Sequence, residues 1–164
     1  MKKPLPVGVE NFEDLIQSGY YYVDKTMFIK ELLDLKGKVN LFLRPRRFGK
    51  TLNLSMLRYF FEDTGDAGKN ARNRELFNGL GIMDAGEDYT GQMGKYPVMN
   101  LTLKSAKQGD FETAYYMLKS GIEAEFNRHR HMVEQGKERL AQKEYEQYAR
   151  IADGLADRKE MGAS

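Results

Sequence analysis

Arg44, Pro45, Arg46, Arg47, Phe48, Gly49, Lys50 and Thr51 form a short basic run that closes on Gly-Lys-Thr. Residues of these types in this order suit phosphate. A glycine lets the backbone come close, while successive N–H groups and a helix N-terminus converge on one spot that attracts an anion. In the pattern G-x-x-x-x-G-K-[ST] the lysine reaches the β- and γ-phosphates of a nucleotide, and the hydroxyl residue ligates Mg2+. Lys50 takes the first role and is the candidate catalytic residue. Thr51 takes the second, as the candidate metal ligand. Every fixed position of the pattern is met except the first, where Arg44 stands in place of glycine. A basic turn that only caps a helix is the other reading of the same residues.

Such a site needs a strand before the loop and a helix after it, and the flanking sequence supplies both patterns. Residues 39–43, Val-Asn-Leu-Phe-Leu, read as a buried parallel strand, apolar on both faces. Beyond Thr51, the positions Leu54, Leu57, Phe60 and Phe61 recur at helical spacing and predict a helix from 50 to about 62 with those four on its core face. Upstream, 11–18 reads as a short helix closed by Gly19. Asp24 or Thr26 caps a second helix, whose buried face carries Phe28, Ile29, Leu32 and Leu33 and which Gly37 ends. Downstream the pattern predicts a loop over 63–70, a short helix over 72–77, an irregular glycine-rich stretch over 79–94 and a second strand over 97–103. A long helix over 111–135 then places Phe111, Tyr115, Leu118, Ile122 and Phe126 on one face. A highly charged helix over 137–152 has few apolar positions (Leu140, Tyr145, Tyr148 and Ile151), and a tail follows.

Composition narrows the possibilities. At 164 residues the chain has the length of one domain, and 41% hydrophobic with 30% charged residues fits a globular protein. A net charge of +2 excludes a polybasic nucleic-acid binder as a description of the whole chain; the positive charge is gathered in the loop. With no cysteine there is neither a disulfide framework nor a thiolate metal site. No apolar run approaches the length of a membrane span, and Met1-Lys2-Lys3 leads into no apolar leader, so the expected location is cytoplasmic.

Motifs on both sides of the loop extend the argument. In order they are Phe12-Glu13-Asp14-Leu15, Tyr21-Tyr22-Val23-Asp24-Lys25-Thr26, the loop itself, Leu54-Ser55-Met56-Leu57, Tyr59-Phe60-Phe61-Glu62, Leu76-Phe77-Asn78-Gly79-Leu80 and Tyr96-Pro97-Val98-Met99-Asn100-Leu101. This ordered set resembles the AAA-ATPase-like proteins of bacteria and archaea, which are related to STAND-type ATPases and often joined to a restriction-endonuclease-like nuclease domain. The resemblance runs over about 5–130, and an arginine at the position of the first glycine belongs to that family's pattern. It implies an α/β fold, a P-loop NTPase-like parallel sheet flanked by helices, that binds ATP and Mg2+. The residues it implies at the nucleotide are Arg44, Pro45, Arg46, Arg47, Phe48, Gly49, Lys50 and Thr51, with Asp24 and Lys25 as a pocket wall near the base. Asp24-Lys25-Thr26 also reads as a helix cap followed by a solvated lysine, and Tyr20, Tyr21 and Tyr22 read either as stacking partners for adenine or as core.

The resemblance also implies features that the sequence does not display. No segment after Leu103 is an apolar run ending in Asp-Glu, the acidic Walker B strand that would position the metal and polarise water. Residues 80–84 imitate such a strand, but Gly81 interrupts them and a turn is expected. The expectation is therefore an incomplete nucleotide domain over 5–130, then a charged helix and tail over 131–164 that stop before the Walker B strand. The chain would be the N-terminal part of a longer protein, or a truncated copy, binding ATP with little or no hydrolysis. Its partner would be a nucleotide, with nucleic acid reached through the missing C-terminal nuclease domain. The alternative function is a nucleic-acid-binding or interaction module that uses the arginine-rich loop. Oligomeric state has no signature here. His129 and His131, two apart, fall on different faces of a helix and read as surface residues rather than a metal pair.

Overall fold

Asn11 sets the first helix. Its side-chain oxygen accepts from the N–H groups of Glu13 (2.8 Å) and Asp14 (3.2 Å), satisfying two of the donors that a helix start leaves open. Helix α1 (Phe12–Gln17) follows, then α2 (Met27–Leu35), α3 (Lys50–Phe61), α4 (Ala67–Glu75), a 3-10 turn (Gly81–Asp84) and the single-turn α5 (Glu87–Thr90). After these come α6 (Phe111–Arg128), α7 (Arg130–Gln135), a second 3-10 turn (Lys137–Arg139) and α8 (Gln142–Ala152). The computed structural model describes residues 3–43, 45, 49–104, 107 and 109–158. The chain divides into two units, Met1–Val98 and Met99–Ser164.

The first unit is built on three phenylalanines. Phe12 of α1, Phe60 of α3 and Phe77 are fully buried, with ring centroids 5.0 Å apart for Phe12–Phe77 and 5.3 Å for Phe60–Phe77. Leu15, Ile29, Met56, Leu76 and Ile82 complete the buried cluster. Polar ties fix α1 against α3. The N–H of Phe12 donates to Ser55 Oγ (3.0 Å), and the Tyr59 hydroxyl donates to Glu13 (2.9 Å) while accepting from Asn11 (3.2 Å).

Helix α2 is held from its first turn. The Asp24 carboxylate accepts from the N–H and the hydroxyl of Thr26 (2.8 and 2.7 Å), and its other oxygen accepts from the N–H of Gly81 (2.7 Å). The buried Thr26 hydroxyl oxygen in turn accepts from the N–H of Ile82 (3.1 Å). Thr26 occupies the cap position without a capping hydrogen bond of its own, so the pair joins α2 to the 3-10 turn instead. At its other end Lys30 bonds Asp34 (2.5 Å) and the Tyr89 hydroxyl (2.9 Å), which itself donates to Asp34 (2.7 Å), tying α2 to α5. Lys36, not Gly37, takes the left-handed conformation that ends α2 (φ 48°). At Gly37 an added Cβ would meet only the end of the exposed Asn40 side chain, Oδ1 at 2.9 Å.

The expected parallel sheet is not there. Among the described residues the β-structure is one isolated parallel bridge, Glu62 with Tyr96, and the chain is mainly helical. Residues 39–43 have no ladder partner among the described residues, and Val39, Leu41 and Leu43 stand 89%, 78% and 77% exposed. A buried parallel strand needs a strand on either side and helices over both faces. Among the described residues no strand pairs with 39–43, and although Phe42 meets Phe28 of α2, Val39, Leu41 and Leu43 are left in water, so the apolar run announced a strand's composition without a strand's surroundings. The segment 97–103 is likewise unladdered, with Leu101 and Leu103 exposed.

Other expectations shift for local reasons. Helix α4 begins inside the expected loop 63–70, because Asp66 accepts from the N–H of Lys69 (3.0 Å) and caps it. The long helix expected over 111–135 breaks at His129, which is buried rather than on the surface. In the second unit α6 packs on α8, with the Phe126 and Tyr148 rings 5.0 Å apart and the Tyr148 hydroxyl donating to the Phe126 carbonyl. Asn127 donates to the Ala152 carbonyl (3.0 Å) and Lys119 to that of Ala156 (2.9 Å). Phe111, placed on the core face by periodicity, is two-thirds exposed.

Two predictions follow from the first unit. Phe77→Ala empties a fully buried site between two rings and is expected to cost about 3–5 kcal/mol in urea unfolding. For Asp24, burial pushes the carboxyl upward, but donation from Gly81 and Thr26 outweighs it and leaves the pKa below its ordinary value. A carboxylate favoured in this way stabilises the fold fully above its unfolded pKa, about 3.9, and loses that contribution as pH falls through the lower folded value. Asp24→Asn is expected to flatten the fall of the unfolding midpoint on acidification below about pH 5, measured by urea titration at stepped pH.

Candidate functional site

Two helix faces make a groove. From α2 come Met27 and Phe28, four and three residues before Glu31, with Glu31 itself; from α3 come Lys50, with Asn53 and Leu54 three and four residues after it. Residues so spaced share one side of a helix. Lys25, just before α2, and Phe42, from 39–43, complete the lining of a groove of about 710 Å3. That volume lies within the roughly 300–1,000 Å3 of small-molecule sites. Its walls combine apolar and aromatic surface with two ammonium groups, one carboxylate and one amide.

The mounting of Lys25 is the most informative part of this arrangement. Its neighbours Asp24 and Thr26 both turn to the Gly81–Asp84 turn, and its own N–H donates to the Tyr22 hydroxyl (3.2 Å). The backbone is held on both sides while the Lys25 side chain is left to the groove. The three residues of one motif thus divide: Asp24 and Thr26 hold the fold, and Lys25 faces the groove. On the α3 side, Gly49 lies at φ 72° in the left-handed region, which glycine reaches without strain, and its carbonyl accepts from Asn53 (2.9 Å). Lys50 opens α3 and Thr51 is exposed beside it. The cap residue of α3, Gly49, has no side chain to cap the helix.

Of the loop, Pro45 is exposed, while Arg44, Arg46, Arg47 and Phe48 lie outside the described residues. Tyr22 is half-buried with its ring against Phe12, a core contact, and burial raises its phenol pKa. Residues 81–84 form the 3-10 turn, with Ile82 buried. The rings of His129 and His131 lie 6.2 Å apart, and among the described residues no group of three His, Cys, Asp or Glu side chains is placed to hold a metal. No helix among them is long and apolar enough to cross a membrane.

Sequence reasoning missed Met27, Glu31, Phe42 and Asn53 as groove residues. It also assigned Phe28 and Leu54 to the core, although Leu54 is half exposed. Periodicity marks a side that avoids water, and a groove wall and a core wall look the same to it. The available signal was the three- and four-residue spacing that joins Glu31 to Phe28 and Met27 in α2 and Lys50 to Asn53 and Leu54 in α3.

Comparison with known proteins agrees with the motif order. A family model described as predicted AAA-ATPase matches residues 6–161, and the chain belongs to that AAA-ATPase-like family. It is also similar to a protein of Azotobacter chroococcum mcd 1 described as an uncharacterized protein in the vnfD 5' region. The two are 39% identical over 84 residues, which is 51% of this chain and 14% of that protein. The chain therefore matches only a small part of that relative's length. No solved structure matches.

The division of the motif predicts opposite outcomes at adjacent positions. The Lys25 ammonium has no hydrogen bond or ion pair among the described residues, so Lys25→Ala is expected to move stability by less than about 0.5 kcal/mol. Asp24→Ala strands the N–H of Gly81 and both Thr26 donors and is expected to cost about 1–3 kcal/mol. Thermal denaturation of the two variants side by side checks the contrast.

Proposed function

We propose that this chain is a nucleotide-binding domain that takes ATP with Mg2+ in the groove between α2 and α3. The supporting observation is that Lys25 and Lys50, far apart in sequence, line the same groove as an aromatic wall. Two cations suit a polyphosphate, and an apolar wall of this size suits a base. Membership in a family described as predicted AAA-ATPase points to the same ligand. In this reading the loop from Arg44 to Thr51 (Arg44, Pro45, Arg46, Arg47, Phe48, Gly49, Lys50, Thr51) wraps the phosphates, and Lys50 neutralises charge on the β- and γ-phosphates.

The residues present fit the metal to a limited degree. Thr51, exposed at the start of α3, supplies one hydroxyl oxygen, and Mg2+ would take its remaining ligands from phosphate and water. Turnover asks for more, since an acid must hold the metal and polarise the attacking water. Asp24 is engaged with Gly81 and Thr26, and Glu31 is the acid on the groove wall. Our reading is accordingly of binding, with little or no hydrolysis by this chain.

Titration of the chain with a fluorescent ATP analogue, with and without Mg2+, tests the proposal. Saturable micromolar binding is expected, strengthened by Mg2+ and weakened at least about tenfold by Lys50→Ala, the scale on which one charge-assisted phosphate contact acts. Absence of binding by a chain that melts cooperatively would overturn it.

A further inference from the structure

Phe28 and Phe42 meet edge to face on the groove wall, with centroids 4.9 Å apart and planes at 72°. Neither is sealed in the core: Phe28 is half-buried and Phe42 is 39% exposed. Both therefore present ring surface to the groove beside Met27 and Leu54, themselves partly exposed. Such a wall accepts a flat aromatic group, because every base has a π-face and aromatic pairs attract beyond the area they bury.

Charge decides how a nucleotide would lie. Lys25 and Lys50 attract its phosphates, whereas Glu31, exposed and with no ion pair among the described residues, repels them. Glu31 stands one turn from Phe28 on the same face of α2, so the carboxylate keeps the phosphates off the phenylalanine wall and leaves that wall to the uncharged part of the ligand. We infer that the groove seats the base of the bound nucleotide against Phe28 and Phe42, with the phosphates drawn to Lys25 and Lys50. The inference rests on the nucleotide reading of the groove. It assigns the base to the aromatic pair rather than to Asp24 or the tyrosines at 20–22.

The test compares ATP with inorganic tripolyphosphate, which has the phosphates but no base, in calorimetric titrations of the full chain with Mg2+. The variants are Phe28→Leu and Phe42→Leu, which remove the ring and keep apolar volume. ATP is expected to bind about tenfold tighter than tripolyphosphate. Each variant is expected to lose about tenfold for ATP while leaving tripolyphosphate unchanged, as stacking of one base on one ring requires. Equal affinity for the two ligands in the unaltered chain would overturn the base assignment while sparing a phosphate site. So would variants that keep full affinity for ATP. Binding of neither ligand would remove the nucleotide reading itself, and the base assignment with it. Should one variant fail to melt cooperatively, the other variant and the comparison of ligands on the unaltered chain decide the question.

Discussion

The clasp between Asp24, Thr26 and the turn at Gly81 and Ile82 is the constraint on which the first unit depends. It consists of four hydrogen bonds, two between neighbours in the chain and two that reach across more than fifty residues. Without it α2 would have Ile29 as its one fully buried anchor and the Lys30–Asp34–Tyr89 cluster at its far end, which is exposed to solvent. A surface ion pair of that kind contributes little. The clasp fixes the start of α2, and with it the direction in which Met27, Phe28 and Glu31 point. The groove is thus a consequence of how one short acidic motif is spent on structure.

Much of the helical skeleton was legible in the sequence. Asn11 before an apolar run, the spacing of Phe60 in α3 and the glycine of the Gly-Lys-Thr run all carry local signals that the structure uses. What was not legible has physical causes. Helix α4 overlaps the short helix expected over 72–77, but its first turns, capped by Asp66, bury no residue, so no periodicity reveals where it starts. The break at His129 leaves no trace in composition, because α6 and α7 continue the same polar and apolar alternation on either side. The sheet failed for a different reason. An apolar run shows that a segment avoids water, but the partner it avoids water with is not written in the run itself.

The candidate site was half legible. The type and order of Gly49, Lys50 and Thr51 pointed to α3, and the motif containing Lys25 pointed to α2. Sequence could not divide Asp24-Lys25-Thr26 into residues that hold the fold and one that faces the groove, because Asp and Thr before a helix suit both purposes equally. Only the positions of Gly81 and Ile82, brought in from a distant turn, settle the division. Family membership across 6–161 adds that the chain belongs to a protein class described as predicted AAA-ATPase.

The unladdered segment 39–43 has a consequence for handling the protein. Its alternate residues Val39, Leu41 and Leu43 face solvent, and its backbone donors and acceptors are unpaired among the described residues. Short uncharged apolar segments of this kind recruit one another between molecules and seed aggregates. Lys38 precedes it and Arg44 follows it, so stacked copies would bring like charges together at both ends. Those two gatekeepers act through unscreened repulsion, which added salt removes. The colloidal behaviour of the chain should therefore worsen with ionic strength even where folding is untouched, and low-salt buffers are the natural choice for keeping it in solution.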